Sequence, residues 1–267
     1  MAYESALAVW EPRLKTAASA DPGPGLVPEV AKARYNLGRV LDSQSRADEA
    51  ISAYLGAVEL WETLAGPERP ELSLDLARAR TNLAYTLRAK GRLPEAVDQF
   101  QQAIEIYQEH LASDPNELDL EDSLTSEIAA LMARARTNLA LALESRGQRA
   151  EAVPHHRAAV ELLDQLVAKG RATLASDAAR ARSNLASVLE ATRNWAEALR
   201  EHEAVLLAYT RMIDEGKSEM VPLLSRTRVS QARALMELGR SADAVEPALA
   251  ASRAFGDLVS AGRSTLA

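Results

Sequence analysis

The apolar residues of this chain recur at helical spacing, and the recurrence is itself periodic. Leu37 and Leu41 stand four apart around Gly38, and the stripe returns as Leu83/Leu87 around Ala84, Leu139/Leu143 around Ala140 and Leu185/Leu189 around Ala186. A four-residue step keeps side chains on one helix face, and the small residue between them lets a neighbouring helix approach closely. These stripes lie within one phrase written five times: AKARYNLGRVL (31–41), ARARTNLAYTL (77–87), ARARTNLALAL (133–143), ARARSNLASVL (179–189) and SRTRVSQARAL (225–235). The anchor of the phrase falls at Asn36, Asn82, Asn138, Asn184 and Ser230, at spacings of 46, 56, 46 and 46 residues. The unit is therefore 46 residues, with ten extra residues assigned to the acidic stretch SDPNELDLED (113–122), which opens on Asp-Pro and reads as a lengthened surface loop.

Nine residues after each anchor comes a turn position, at Ser45, Gly91, Gly147, Arg193 and Gly239, where glycine suits a left-handed helix cap. A second apolar pattern follows. Its small contact points are Ala50, Ala96, Ala152, Ala198 and Ala244, then seven residues on Ala57, Ala103, Ala159, Val205 and Ala251. Four residues further, Trp61, Tyr107, Leu163, Tyr209 and Phe255 form a bulky column expected to fill the space between successive helix pairs. Each unit thus predicts two helices of roughly 20 residues, about 30 Å long at 1.5 Å per residue.

The ends carry the same register. Ala2, Tyr3, Ala6 and Trp10 match Ala53, Tyr54, Ala57 and Trp61 at a constant shift of 51, so 1–20 is expected to be a half repeat consisting of a second helix only. At the other end DLVSAGRSTLA (257–267) matches QLVAKGRATLA (165–175) at a shift of 92, two units. The expected organisation over 1–267 is a single array of about eleven helices: repeats at 27–66, 70–112, 123–169, 171–215 and 218–261, with the acidic inserted loop at 113–122. Stacked repeats bury their faces only on neighbours and normally end in polar caps. Neither end has an obvious one, which leaves two expectations open: a segment of a longer protein, or ends that pair with another copy.

Composition agrees with an all-α chain. Ala (52) and Leu (38) make up about a third of the residues, while aromatics are 4%, so strand formers are scarce. The absence of Cys excludes disulfides, thiolate metal sites and a Cys nucleophile. The first ten residues are acidic and amphipathic rather than basic then apolar, and no run approaches ~18 apolar residues. The expectation is a cytoplasmic protein, neither secreted nor membrane-spanning, with no membrane partner. A net charge of −7 disfavours nucleic acid as a partner.

Catalytic chemistry finds no foothold. Of the four histidines, His110, His155, His156 and His202, the last two occupy equivalent places one repeat apart, where Tyr54 and Phe100 stand earlier, so core packing is their expected role. A two-His metal site with Glu151 or Glu197 lacks a ligand cluster of known spacing, and neither a phosphate loop nor a GxSxG elbow is present. No metal or cofactor is expected, and no enzymatic activity.

The phrase Asn-Leu-Gly/Ala, a Gly turn and Glu-Ala-Val/Ile resembles the tetratricopeptide repeat. It is carried by NLG 36–38 with DEAI 48–51, NLA 82–84 with PEAV 94–97, NLA 138–140 with AEAV 150–153 and NLA 184–186 with AEAL 196–199. The usual unit has 34 residues; the longer helices here resemble the extended repeats of kinesin light chain. A second departure is the position two before the anchor, commonly aromatic, which here holds Arg34, Arg80, Arg136, Arg182 and Arg228. The resemblance implies a right-handed superhelical solenoid of antiparallel helix pairs, with first helices lining a concave side.

Function is then expected on that side. Residues four before the anchor share its face, giving Lys32/Asn36, Arg78/Asn82, Arg134/Asn138, Arg180/Asn184 and Arg226/Ser230. An Asn amide both donates and accepts, as a peptide main chain requires, and Arg recognises carboxylates or phosphates in bidentate fashion. In family members that bind extended peptides, Asn at this place grips the ligand main chain and a cation one turn earlier grips carboxylates. The resemblance extends these roles to Asn36, Asn82, Asn138 and Asn184, and to Lys32, Arg78, Arg134, Arg180 and Arg226. The competing structural reading has the Asn column holding helix pairs together and the cations paired with local carboxylates such as Asp75 and Asp177. For the Arg column two before the anchor, the structural reading is favoured. The expected function is a protein-interaction scaffold taking an extended acidic segment. The alternatives are a self-assembling element joined through its incomplete ends, and a peptide or small-molecule sensor arm of a larger regulator.

Overall fold

The computed structural model describes residues 26–65, 69–111, 120 and 122–260. Every regular element among them is helical. They divide into two compact units, Met1–Arg146 and Gly147–Ala267. The first contains α1 (Leu26–Ser43), α2 (Ala47–Glu62), α3 (Pro70–Ala89), α4 (Leu93–Leu111) and α5 (Ser123–Ser145). The second contains α6 (Arg149–Ala168), α7 (Ala175–Ala191), α8 (Trp195–Asp214), α9 (Val221–Glu237) and α10 (Ser241–Ser260), with 3-10 turns at Ala172–Leu174 and Ser218–Met220. The expected half repeat at 1–20 and most of the inserted loop lie outside the described residues. At the end of that loop Leu120 is buried and Asp122 caps α5, its carboxylate accepting from the Thr125 amide at 2.8 Å.

Short turns fold the helices back on one another, and each packs against the next within its unit: α1 to α5 in sequence in the first, α6 to α10 in the second. All five turn positions have positive φ, from 60° at Ser45 and Arg193 to 81° at Gly147. The following amide reaches back five residues, Arg46 to Leu41 O and Arg92 to Leu87 O at 2.9 Å, Asn194 to Leu189 O and Arg240 to Leu235 O at 2.8 Å. This is the double-bonded helix end that a left-handed residue permits. The repeat register thus dictates the turn even where no glycine supplies it, and Ser45 and Arg193 carry a backbone cost of about 1 kcal/mol each.

The core follows the periodic columns. Ala50, Ala96, Ala152, Ala198 and Ala244 are all buried, as are Ala57, Ala103, Ala159, Val205 and Ala251. The bulky column is buried at Trp61, Tyr107, Leu163 and Tyr209, while Phe255 on α10 is half-buried. The α1–α2 contact is close: a Cβ on Gly38 would stand 2.6 Å from Cε1 of the Tyr54 ring. Tyr54 is the largest side chain to occupy that facing position, and glycine is its counterpart.

Two of the five arginines two before the anchor, Arg80 and Arg182, tie helices together. Arg80 on α3 is buried, donates to Gln99 of α4 at 2.7 Å and pairs with Glu62 of α2. Arg182 on α7 repeats the arrangement, donating to Glu201 of α8 at 2.7 Å and pairing with Asp164 of α6. Each guanidinium bridges its own hairpin partner and the second helix of the preceding hairpin. The departure from the usual aromatic is therefore a polar staple.

Candidate functional site

Polar links join first helices of successive hairpins within each unit. In the first unit, the Asn82 amide donates to the Tyr35 hydroxyl at 3.0 Å and the Thr86 hydroxyl to Asp42 at 2.7 Å, joining α3 to α1. Arg78 of α3 pairs with Glu127 of α5 at 2.7 Å and with Asp75, one turn back, at 3.4 Å. Asn138 donates to the Arg134 carbonyl of its own helix at 2.9 Å, and Arg134 is exposed. Asn36 is half-buried, its amide without a partner among the described residues, and Lys32 is exposed with no ion pair to a described residue. Beneath this surface Tyr35 packs with its ring centroid 6.0 Å from Tyr54 and 5.9 Å from Trp61. The Tyr107 hydroxyl below Thr81 has its pKa pushed up to about 12 by burial.

In the second unit the same positions enclose a cleft of about 400 Å3 between α7 and α9, floored by α8. From α7 come Ser176, Asp177, Arg180, Ser183, Asn184 and Ser187; from α9 come Leu223, Arg226, Thr227 and Ser230. His202 and Tyr209 of α8 and Met220 of the preceding turn close the floor. Of the five anchor/cation pairs expected from sequence, Arg180/Asn184 and Arg226/Ser230 thus meet in one cleft, while Lys32/Asn36, Arg78/Asn82 and Arg134/Asn138 belong to the first unit.

The donors of this cleft are unevenly spent. Ser183, Ser187 and Thr227 direct their hydroxyl protons to the carbonyls of Ala179, Ser183 and Leu223, at 3.0, 2.9 and 2.8 Å, which leaves their oxygens able only to accept. Arg180 gives one guanidinium nitrogen to Asp177 at 2.6 Å. The Asn184 amide, the Ser230 hydroxyl and the whole Arg226 guanidinium have no partner among the described residues. These three converge from opposite walls.

At the floor, His202 Nε2 lies 2.9 Å from Glu190 of α7, and Glu190 also pairs with Arg233 of α9. His202 is buried, as its place in the core column implies, yet it lines the cleft as well. The Glu190–Arg233 link escaped the sequence reading. Its signal is the column six after the anchor, Asp42, Arg88, Glu144, Glu190 and Met236, charged in four of five repeats. Among the described residues no group of three or more His, Asp or Glu side chains is placed to hold a metal ion. Nor is any described helix long and apolar enough to cross a membrane.

A series of helical hairpins with staple-like arginines inside and a polar first-helix surface defines a helical-repeat protein that works by binding. Three family models, each described as tetratricopeptide repeat, match residues 29–109, 132–167 and 225–246, together more than half of the chain. The chain belongs to the tetratricopeptide repeat family and is a scaffold for protein–protein interaction. Among solved structures it is similar to BtubC (BKLC) from P. vanneervenii, at 20% identity and TM-score 0.64 over 96% of this chain and 90% of that one. It is also similar to nearly identical TPR-like repeats from Podosopora anserina, named for kinesin light chain, at 22% identity and TM-score 0.57 over 85% and 95% of the two chains. A third likeness is to YrrB, a TPR protein with an unusual peptide-binding site, at 17% identity and TM-score 0.54 over 95% and 97%. These likenesses establish the fold. No curated protein matches the sequence.

Proposed function

We propose that the protein holds an extended, acidic segment of a cytoplasmic partner protein against its first helices. The observation that carries this reading is the convergence of unspent donors, Asn184, Ser230 and Arg226, in a cleft of about 400 Å3. A cleft of that size takes a few residues of an extended strand. Asn184 meets its main chain and Arg226 meets a carboxylate; of the equivalent amides in the first unit, those of Asn82 and Asn138 already donate to Tyr35 and to the Arg134 carbonyl. Lys32 and Arg134 add positive charge that favours acidic ligands and speeds encounter; Arg78 and Arg180 are each paired with a local carboxylate. YrrB, of the same fold, has a peptide-binding site, which supports the class of ligand. Affinity capture from cell lysate with the wild type and the Asn184→Ala/Arg226→Gln double variant tests the reading. A partner retained by the wild type and lost by the folded variant is the expected result; identical capture by both removes the assignment.

A second reading, self-association, rests on one observation. Val245 on α10 is 56% exposed, whereas Leu199, its equivalent one repeat earlier, is 5% exposed. Sedimentation across a hundredfold concentration range decides it, because pairing between copies follows mass action.

A further inference from the structure

The two cations of the cleft differ in one respect that the repeat register isolates. On α7, Asp177 stands three residues before Arg180, and its carboxylate holds the guanidinium at 2.6 Å. On α9 the equivalent of Asp177 is Leu223, so Arg226 has no acid one turn behind it, and it pairs with no described residue. The acid is also the better anchored of its pair: the Asp177 side chain is 24% exposed and that of Arg180 64%. The device recurs in the first unit, where Asp75, at the matching place, lies 3.4 Å from Arg78.

Resting on the cleft reading above, we infer that Asp177 is a specificity-determining residue: it cancels Arg180 as an anion receptor and leaves Arg226 to receive a single acidic side chain. The effect does not depend on a strong salt bridge, for an exposed i,i+3 pair is weak and a ligand can displace it. It depends on charge. A carboxylate approaching Arg180 also meets the Asp177 carboxylate paired with it, so attraction and repulsion largely offset each other, whereas Arg226 carries no paired carboxylate among the described residues. The α7 wall then offers the strand neutral hydrogen bonding from Asn184 and the oxygens of Ser183 and Ser187, and the α9 wall offers the charge. A ligand with one acid at this point is accepted; a second acid placed to reach α7 gains nothing.

The test uses fluorescein-labelled nine-residue Gly/Ser/Ala peptides, one carrying a single central Glu and one carrying two Glu three residues apart. Three extended residues span about 10 Å, which separates the two carboxylates along the strand. Polarisation at low salt is measured with wild type, Arg226→Gln, Arg180→Gln, Asp177→Asn and Asp177→Asn/Arg180→Gln, each checked for fold by circular dichroism. The wild type should bind both probes within about twofold, Arg226→Gln should lose about tenfold on both, and Arg180→Gln should change neither. Asp177→Asn should bind the two-Glu probe about five- to tenfold more tightly, and the added Arg180→Gln should abolish that gain. If Arg226→Gln weakens binding but Arg180→Gln weakens it equally, or Asp177→Asn brings no gain, the role of Asp177 is refuted while the cleft stands. If Arg226→Gln changes nothing, or no probe binds any of the five proteins, the cleft reading itself fails and the inference with it.

Discussion

Replacing Arg182 by Met removes a staple whose contribution can be worked out and compared with a control in the same column. Arg182 is tied to Glu201 at 2.7 Å and to Asp164, with side-chain exposures of 25%, 17% and 38% for the three residues. Two charge-assisted hydrogen bonds would be worth about 1.5–3 kcal/mol each if fully buried, and close to nothing if fully exposed. Partial exposure puts the loss at about 1–2 kcal/mol. The carboxyl of Asp164 is already raised above its ordinary value by burial, with Arg182 opposing and Glu201 adding to the shift. Losing the guanidinium leaves only influences that raise it. A carboxyl whose folded pKa exceeds its unfolded one binds more protons when folded, so its penalty is present at pH 7 and relieved as the pH falls through the folded value. The deficit of Arg182→Met should therefore shrink between pH 7 and about pH 4. Arg228 is the control: the positions equivalent to Asp164 and Glu201 are Thr210 and Pro247, and it pairs with no described residue. Urea unfolding followed by circular dichroism should show Arg228→Met within about 0.5 kcal/mol of wild type. Equal losses in the two variants, or a deficit for Arg182→Met that grows on acidification, would refute the staple.

Three further changes probe the hairpins. Gly38→Ala sets a Cβ 2.6 Å from the enclosed Tyr54 ring, and a strain of about 1–3 kcal/mol outweighs the ~1 kcal/mol that alanine gains in helix propensity. Net destabilisation is expected in urea unfolding, with no loss for Ala84→Gly beyond that propensity. Arg193→Gly and Ser45→Gly relieve left-handed non-glycine residues and should each raise stability by about 0.5–1 kcal/mol; a fall in the thermal midpoint of either contradicts the turn assignment. Asp122 has its pKa held low by the Thr125 amide, so its capping contribution is present above the ordinary Asp range and lost as the pH falls through the lowered value. Hydrogen exchange at the start of α5 should quicken in Asp122→Ala at pH 7 and match the wild type once the carboxyl is protonated.

Most of the hairpin plan is legible because each repeat restates it. Ser45 and Arg193 are poor turn residues by type, yet alignment on the anchor Asn identifies both positions, and both adopt the positive φ of their glycine equivalents. The small and bulky columns are buried for the same reason: stacking forces equivalent positions into equivalent environments. Contacts between repeats are harder to read. Arg80 and Arg182 reach acids 18 residues back and partners 19 residues on, a constant offset that emerges only once the turns are in place. The cleft depends on which donors are already spent, and that is settled by side-chain geometry. The Asn column looks uniform in sequence, yet Asn82 gives a proton to Tyr35 and Asn138 to its own helix, while Asn184 keeps its amide. Asp75 and Asp177, the carboxylates named in the competing structural reading of the cation column, do pair with Arg78 and Arg180.

The central claim is that the first-helix cleft of the second unit receives an extended segment through Asn184 and Arg226. The most direct measurement is a side-chain NMR titration of isotope-labelled protein with the partner segment identified by capture, following the Asn184 amide and the Arg226 guanidinium. Saturable shifts of both, lost together with affinity in Arg226→Gln, are predicted. Shifts confined to the second helices, such as Leu55 and Gln99, with the Asn184 and Arg226 signals unmoved, would contradict it.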